Sequence, residues 1–169
     1  MRRILETAAV VSDVAVVDTG FCLEVDEELS YDTAAPRRNG ATLEALARAD
    51  TVVAVGGADP VSLGRLVRGI HDLRTALPEV TPLVVVNRAR PSLGWPVQEV
   101  AEMIGRATGL AVTATLPDDP VACDRALVNA KTLVECAADS RLVRRIRTVT
   151  ADLLGVREPV RRRRAGRDR

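Results

Sequence analysis

The sequence predicts an α/β fold, a mainly parallel sheet flanked by helices. Four short apolar, β-branched runs recur along the chain, each ending in polar or glycine residues, and helical patterns fill the intervals between them. That alternation implies βαβ crossovers, because parallel neighbours need a long connection and helices supply it. Composition agrees. The 169 residues are 47% hydrophobic and 28% charged, which suits a globular chain that buries a core.

Taken in order, Met1 opens a helical stretch, and the first strand signal is Val14 to Val17, a buried strand ending at Asp18-Thr19-Gly20. A long connection from Phe21 to Gly40 follows, acidic at Glu24, Asp26, Glu27, Glu28 and Asp32. Connections of this length are usually functional or mobile. Thr42 to Ala49 is helical, and Thr51 to Val55 before Gly56 is the second strand. In Val61 to Leu77 the residues Leu63, Leu66, Val67, Ile70, Leu73 and Leu77 repeat at three-and-four spacing, one face of a helix. Leu83 to Val86 before Asn87 is the third strand, and Val97 to Gly109 is a helix that Gly109 stops. Ala111 to Leu116 before Pro117 is the fourth strand, followed by helices at Val121 to Asn129, Lys131 to Ala138 and Arg141 to Leu154. The reading is one domain over residues 1–154 and a basic, disordered tail over 155–169.

Charge divides along the same line. Residues 1–140 carry 13 basic and 20 acidic side chains, whereas residues 141–169 carry 11 basic and 3 acidic. The near-neutral total therefore hides an acidic body and a basic tail, where Arg161, Arg162, Arg163 and Arg164 could meet nucleic acid or another anionic surface. Only Ala165 interrupts the polarity of Arg161 to Arg169, so a membrane-anchoring amphipathic helix is not expected. Cys22, Cys123 and Cys136 have no C-x-x-C spacing and His71 is the sole histidine, which argues against a zinc site or a disulfide framework. Without a cleavable leader pattern or a transmembrane-length apolar window, a cytoplasmic location is expected.

Ligands of such sheets bind outside the carboxyl ends of the strands. Here those ends are Asp18-Thr19-Gly20, Gly56-Gly57-Ala58-Asp59-Pro60, Asn87-Arg88-Ala89-Arg90 and Pro117-Asp118-Asp119. An aspartate ending a strand is how P-loop nucleotidases hold Mg²⁺, although aspartates also simply cap turns. Asn87 offers the donor and acceptor that a purine edge requires, and Arg88 could stack on the ring or reach ribose and phosphate, while a plain polar loop is the ordinary alternative. Pro117-Asp118-Asp119-Pro120 could equally be a turn and a cap. Trp95 is expected to anchor its loop against the body.

A phosphate-binding P-loop is excluded. It needs two glycines and a lysine as G-x-x-x-x-G-K-[ST], but the only lysine is Lys131, with Ala130 before it and Arg125 six positions before it. Lys131-Thr132 reads as a surface helix pair.

As an ordered series, Val14-Ala15-Val16-Val17-Asp18-Thr19-Gly20-Phe21, Ala49 to Val55, Ala58-Asp59-Pro60-Val61, Val84-Val85-Val86-Asn87-Arg88 and Leu116-Pro117-Asp118-Asp119 resemble the second half of a MinD/ParA-type ATPase, a P-loop NTPase of the deviant Walker A (SIMIBI) class. They look most like the actinobacterial CpaE/TadZ-like pilus-assembly, septum-site and chromosome-partitioning proteins. The resemblance implies ATP and Mg²⁺, with Asp18 as the catalytic, metal-binding aspartate and Thr19 and Gly20 beginning the phosphate switch. It places Asn87 and Arg88 beside adenine and Pro117 and Asp118 in the loop over the base. It also implies a homodimer, or a complementing chain that carries the P-loop.

The N-terminal P-loop strand of that fold has no counterpart in this sequence, and the resemblance places it between the strand ending at Asp18 and the strand Thr51 to Val55. Either these two pair directly, or another polypeptide fills the slot. A split or truncated gene product is the expectation, and with it the loss of independent hydrolysis. The alternative is a non-enzymatic module that binds a partner ATPase, scaffold or nucleic acid through its surface and tail.

Overall fold

The computed structural model describes residues 2–19, 23 and 39–156. Gly20, Cys22, most of the connection before residue 39, and Arg161 to Arg164 lie outside the described residues. Contacts divide the chain into two compact units, Met1–Thr115 and Leu116–Arg169.

The first unit begins with α1 (Arg2–Val11) and α2 (Gly40–Arg48), which pack on each other. Next come β1 (Val53–Gly57), α3 (Pro60–Ala76), β2 (Leu83–Ala89), a single 3-10 turn (Pro91–Leu93), α4 (Val97–Thr108) and β3 (Val112–Pro117), within which the division between units falls. The strands form one sheet in the order β1-β2-β3, and β1 pairs with β2 in parallel, Ala54 opposite Val84 and Gly56 opposite Val86.

The core lies where the periodic apolar residues meet this sheet. Leu63, Leu66 and Ile70 of α3 and Val100 and Ile104 of α4 close over Val84 and Val86 of β2, with Ala54 and Trp95 packed against the cluster. Trp95 thus anchors its loop as the sequence predicts. Helix α3 starts where Asp59, with extended backbone, accepts the Ser62 N–H at 3.0 Å and Pro60 takes the first helical position. That position needs no N–H donor, which is why proline suits it. Helix α4 ends at Gly109, whose φ of 72° is readily adopted only without a Cβ. Just before it, the buried Thr108 hydroxyl donates to the Ile104 carbonyl at 2.8 Å and accepts from the Leu110 N–H at 3.2 Å.

The second unit holds α5 (Pro120–Val128), α6 (Leu133–Ala137) and α7 (Arg141–Leu154), with α6 in contact with both others. Asp119, Thr132 and Ser140 cap the three helices, and Thr132 and Glu135 form a reciprocal capping box. Among the described residues no helix is long and apolar enough to cross a membrane.

Three expectations require correction. Residues 14–17 are not a buried strand: Val14, Val16 and Val17 are 51%, 91% and 43% exposed, and no strand pairs with them among the described residues. Their composition suits burial, but a strand also needs a neighbour for its backbone groups, and here there is none. Second, β2 runs through Asn87 and Arg88 rather than stopping before them, because the Asn87 carbonyl accepts the Ala58 N–H at 2.9 Å and prolongs the ladder. Third, Lys131-Thr132 is not within a helix. Lys131 lies in the turn between α5 and α6, and Thr132 is the cap of α6.

Candidate functional site

The carboxyl ends of β1 and β2 are built tightly. A Cβ added to Gly56 would lie 2.7 Å from Leu66 Cβ, and one added to Gly57 would lie 2.9 Å from Ser62 Cβ. Both glycines are therefore required for α3 to return directly over β1. Asp59 at the turn is held ionised below the usual carboxylate range, first by the Ser62 hydroxyl and then by the Ser62 N–H. This carboxylate is committed to its helix, and the sequence Asp59-Pro60-Val61-Ser62 carried that capping signal.

Beside this turn, Asn87 is half-buried and Arg88 exposed. Arg88 has a φ of 60°, in the left-handed region that costs a side-chain-bearing residue about 1–2 kcal/mol. Asn87 Oδ1 accepts the Arg88 N–H at 2.8 Å, which fixes the amide plane against the turned backbone. An amide oxygen has two lone pairs and its nitrogen two donors, so one acceptor site and the NH₂ group are left by this bond. Such a pair matches the donor and acceptor on an adenine edge. Asn87 thus fits a purine base.

The phosphate and Mg²⁺ side does not fit. Asp18 is exposed and Thr19 half-buried, in a segment outside the sheet, and Gly20 lies outside the described residues. Among the described residues no group of three His, Cys, Asp or Glu side chains could hold a metal ion. The lysine and glycines of a phosphate cradle are missing from the sequence as well. No catalytic step can be routed through Asp18 on this arrangement.

Pro117 and Asp118 belong to the second unit, and both are half-buried. Their neighbour Asp119 accepts the Ala122 N–H at 3.2 Å, so the capping role weighed for this stretch falls to Asp119. The same unit exposes Arg141, Arg144, Arg145 and Arg147 on α7, whose Leu142 and Val143 are buried. The charge count from residue 141 onward and the helix expected at Arg141 to Leu154 together carried that signal.

These features define a parallel α/β fold. Two solved structures are similar to the chain. MinD cell division protein from Aquifex aeolicus superposes with a TM-score of 0.53 at 20% identity, over 70% of this chain and 49% of that one. A ParA family ATPase from Chlorobium tepidum TLS gives 0.48 at 19% identity, over 64% of this chain and 42% of that one. The chain thus spans less than half the length of either. No protein-family model and no curated protein matches the sequence.

Proposed function

We propose that this chain is the adenine-recognising portion of a MinD/ParA-type ATPase and that it does not hydrolyse ATP by itself. The observation that carries the reading is the end of β2, where Asn87 Oδ1 accepts the Arg88 N–H beside the left-handed Arg88 backbone and the amide NH₂ is left for a ligand. Backbone strain at a strand end is a recurrent mark of ligand sites. In this reading Asn87 reads the base and Arg88 stacks on it or contacts the sugar, while Asp18 and Thr19, outside the sheet, take no part in the chain by itself. The process served is spatial organisation in the cytoplasm, that is pilus assembly, septum placement or chromosome partitioning, as in the CpaE/TadZ-like proteins the sequence resembles, with a homodimer as one working form.

Turnover of purified chain with ATP and Mg²⁺ tests this. Background-level hydrolysis is expected, and robust hydrolysis that disappears in Asp18→Ala would overturn it.

A second reading is favoured by α7. Its four exposed arginines extend the basic tail into a folded helix, as an interaction module for nucleic acid would require. Retention on DNA should then fall with salt and weaken when Arg144 and Arg147 are both replaced by Ala. Retention unchanged in that variant would remove α7 from the interface.

A further inference from the structure

The end of β2 changes phase. Side chains of a strand alternate between its two faces, so residues two apart share one face. Val84 and Val86 belong to the core cluster with residues of α3 and α4, and strict alternation would send Arg88 into the same apolar face. It does not go there. Arg88 is exposed, and Ala89, which alternation would turn away from that face, packs against the cluster. The strand therefore shifts by one residue between Val86 and Ala89. Arg88, at a φ of 60°, is the one left-handed residue of β2 and marks the shift.

Two results follow from this offset. It keeps a guanidinium out of the apolar cluster, where burial of a charge would be costly, and puts a methyl group in its place. It also leaves two consecutive polar side chains, Asn87 and Arg88, clear of the core, where alternation allows only one. A one-residue offset re-aims side chains in the same way where a strand bulges next to a site. Asn87 stays anchored throughout, because its carbonyl accepts the Ala58 N–H at 2.9 Å and its Oδ1 accepts the Arg88 N–H at 2.8 Å. Glycine and asparagine enter the left-handed region far more readily than arginine does. Arginine thus stands here at a conformational cost that glycine would remove, and such an outlier points to a task for the side chain it carries.

We propose that Arg88 is the positioning residue of the base site: its left-handed backbone switches the phase of β2, so that the Asn87 amide and the Arg88 guanidinium are offered together to one purine nucleoside. The ligand rests on the purine reading of Asn87 above. The phase switch itself does not.

Replacement of Arg88 in the full chain by Gly, Asn, Ala and Val tests it. All four remove the guanidinium, while tolerance of the left-handed backbone falls in the order Gly, Asn, Ala, Val. Size ranks them differently, with Ala next to Gly and Asn beside Val. Adenosine affinity in calorimetric titration should fall in all four, and should be at least about tenfold weaker in Arg88→Val than in Arg88→Gly, the scale of the left-handed cost. Arg88→Asn should bind more tightly than Arg88→Ala, and that pair decides between backbone and size even where the valine variant does not fold. Nuclear Overhauser contacts between the Ala89 methyl and the methyl groups of the core, recorded without ligand, should persist in the Gly and Asn variants and weaken in Ala and Val. Equal affinities across the series, or a ranking by size, would overturn the proposal. So would undiminished Ala89 contacts in Arg88→Val. The same samples separate the claims. Ala89 contacts that follow the series in a chain without adenosine affinity retain the phase switch and reject the purine reading, together with the positioning role that rests on it. Adenosine affinity that Asn87→Ala abolishes, with Ala89 contacts indifferent to residue 88, does the reverse.

Discussion

β1 and β2 are adjacent parallel strands of similar composition, yet Val84, Val85 and Val86 are 0%, 4% and 2% exposed while Val53 and Val55 are 38% and 58% exposed. Both strands offer one face to α3 and α4, through Ala54 and Gly56 on β1 and Val84 and Val86 on β2. They differ on the remaining face and edge. Apolar, β-branched composition thus records what a strand is suited to bury. Only the presence of a neighbour decides whether it is buried.

The largest expected effect probes the covered side. Ile104→Ala empties a fully buried position against β2 and should cost about 2–5 kcal/mol in chemical denaturation. Val55→Ala on the uncovered face should stay within about 0.5 kcal/mol. Equal costs would mean that β1 is covered in the isolated chain and would break the comparison.

Glycine substitutions sharpen it at the next level. Gly56→Ala forces a Cβ into Leu66 across the β1–α3 contact and should cost about 1–3 kcal/mol by the same assay. Gly64→Ala, mid-helix in α3 with nothing within 4 Å, should instead stabilise by up to about 1 kcal/mol through helix propensity. Opposite signs would show that the close β1–α3 approach, rather than the loss of a glycine as such, sets the cost at Gly56.

The smallest effect is a pH dependence. The Asp59 carboxyl is lowered by the Ser62 hydroxyl and N–H, and the Glu135 carboxyl by the Thr132 N–H and hydroxyl. A depressed carboxyl stabilises above its unfolded value, and that contribution fades as pH falls through the folded value. The melting temperature should therefore be insensitive to these two groups above about pH 5 and decline below about pH 4. Asp59→Asn, which keeps a capping oxygen but cannot ionise there, should shallow the decline.

Much of the fold was legible because helical periodicity is a strong local signal. The α3 face of Leu63, Leu66, Ile70 and Leu73 is buried as its spacing predicts. β1 begins two residues later than expected and extends through Gly56 and Gly57, which read as a loop because glycine usually marks one. Here they serve close approach to α3. Residues 14–17 carry a strand's pattern yet lie outside the sheet, because no local pattern reports a missing neighbour. Asn87 was legible from its place after three valines, but the left-handed backbone of Arg88 was not, since arginine carries no preference for that conformation. Asp18 and Asn87 both follow strand-like runs, but only the run before Asn87 is a strand of the sheet.

In the function proposed above, Asn87 serves a base and no cradle for phosphates stands among the described residues. Calorimetric titration with adenosine and with ATP, each with and without Mg²⁺, tests it most directly. The prediction is equal affinity for the two ligands, independent of Mg²⁺ and lost in Asn87→Ala. ATP binding tighter than adenosine by more than about tenfold, a difference of about 1.4 kcal/mol that appears only with Mg²⁺, would contradict it.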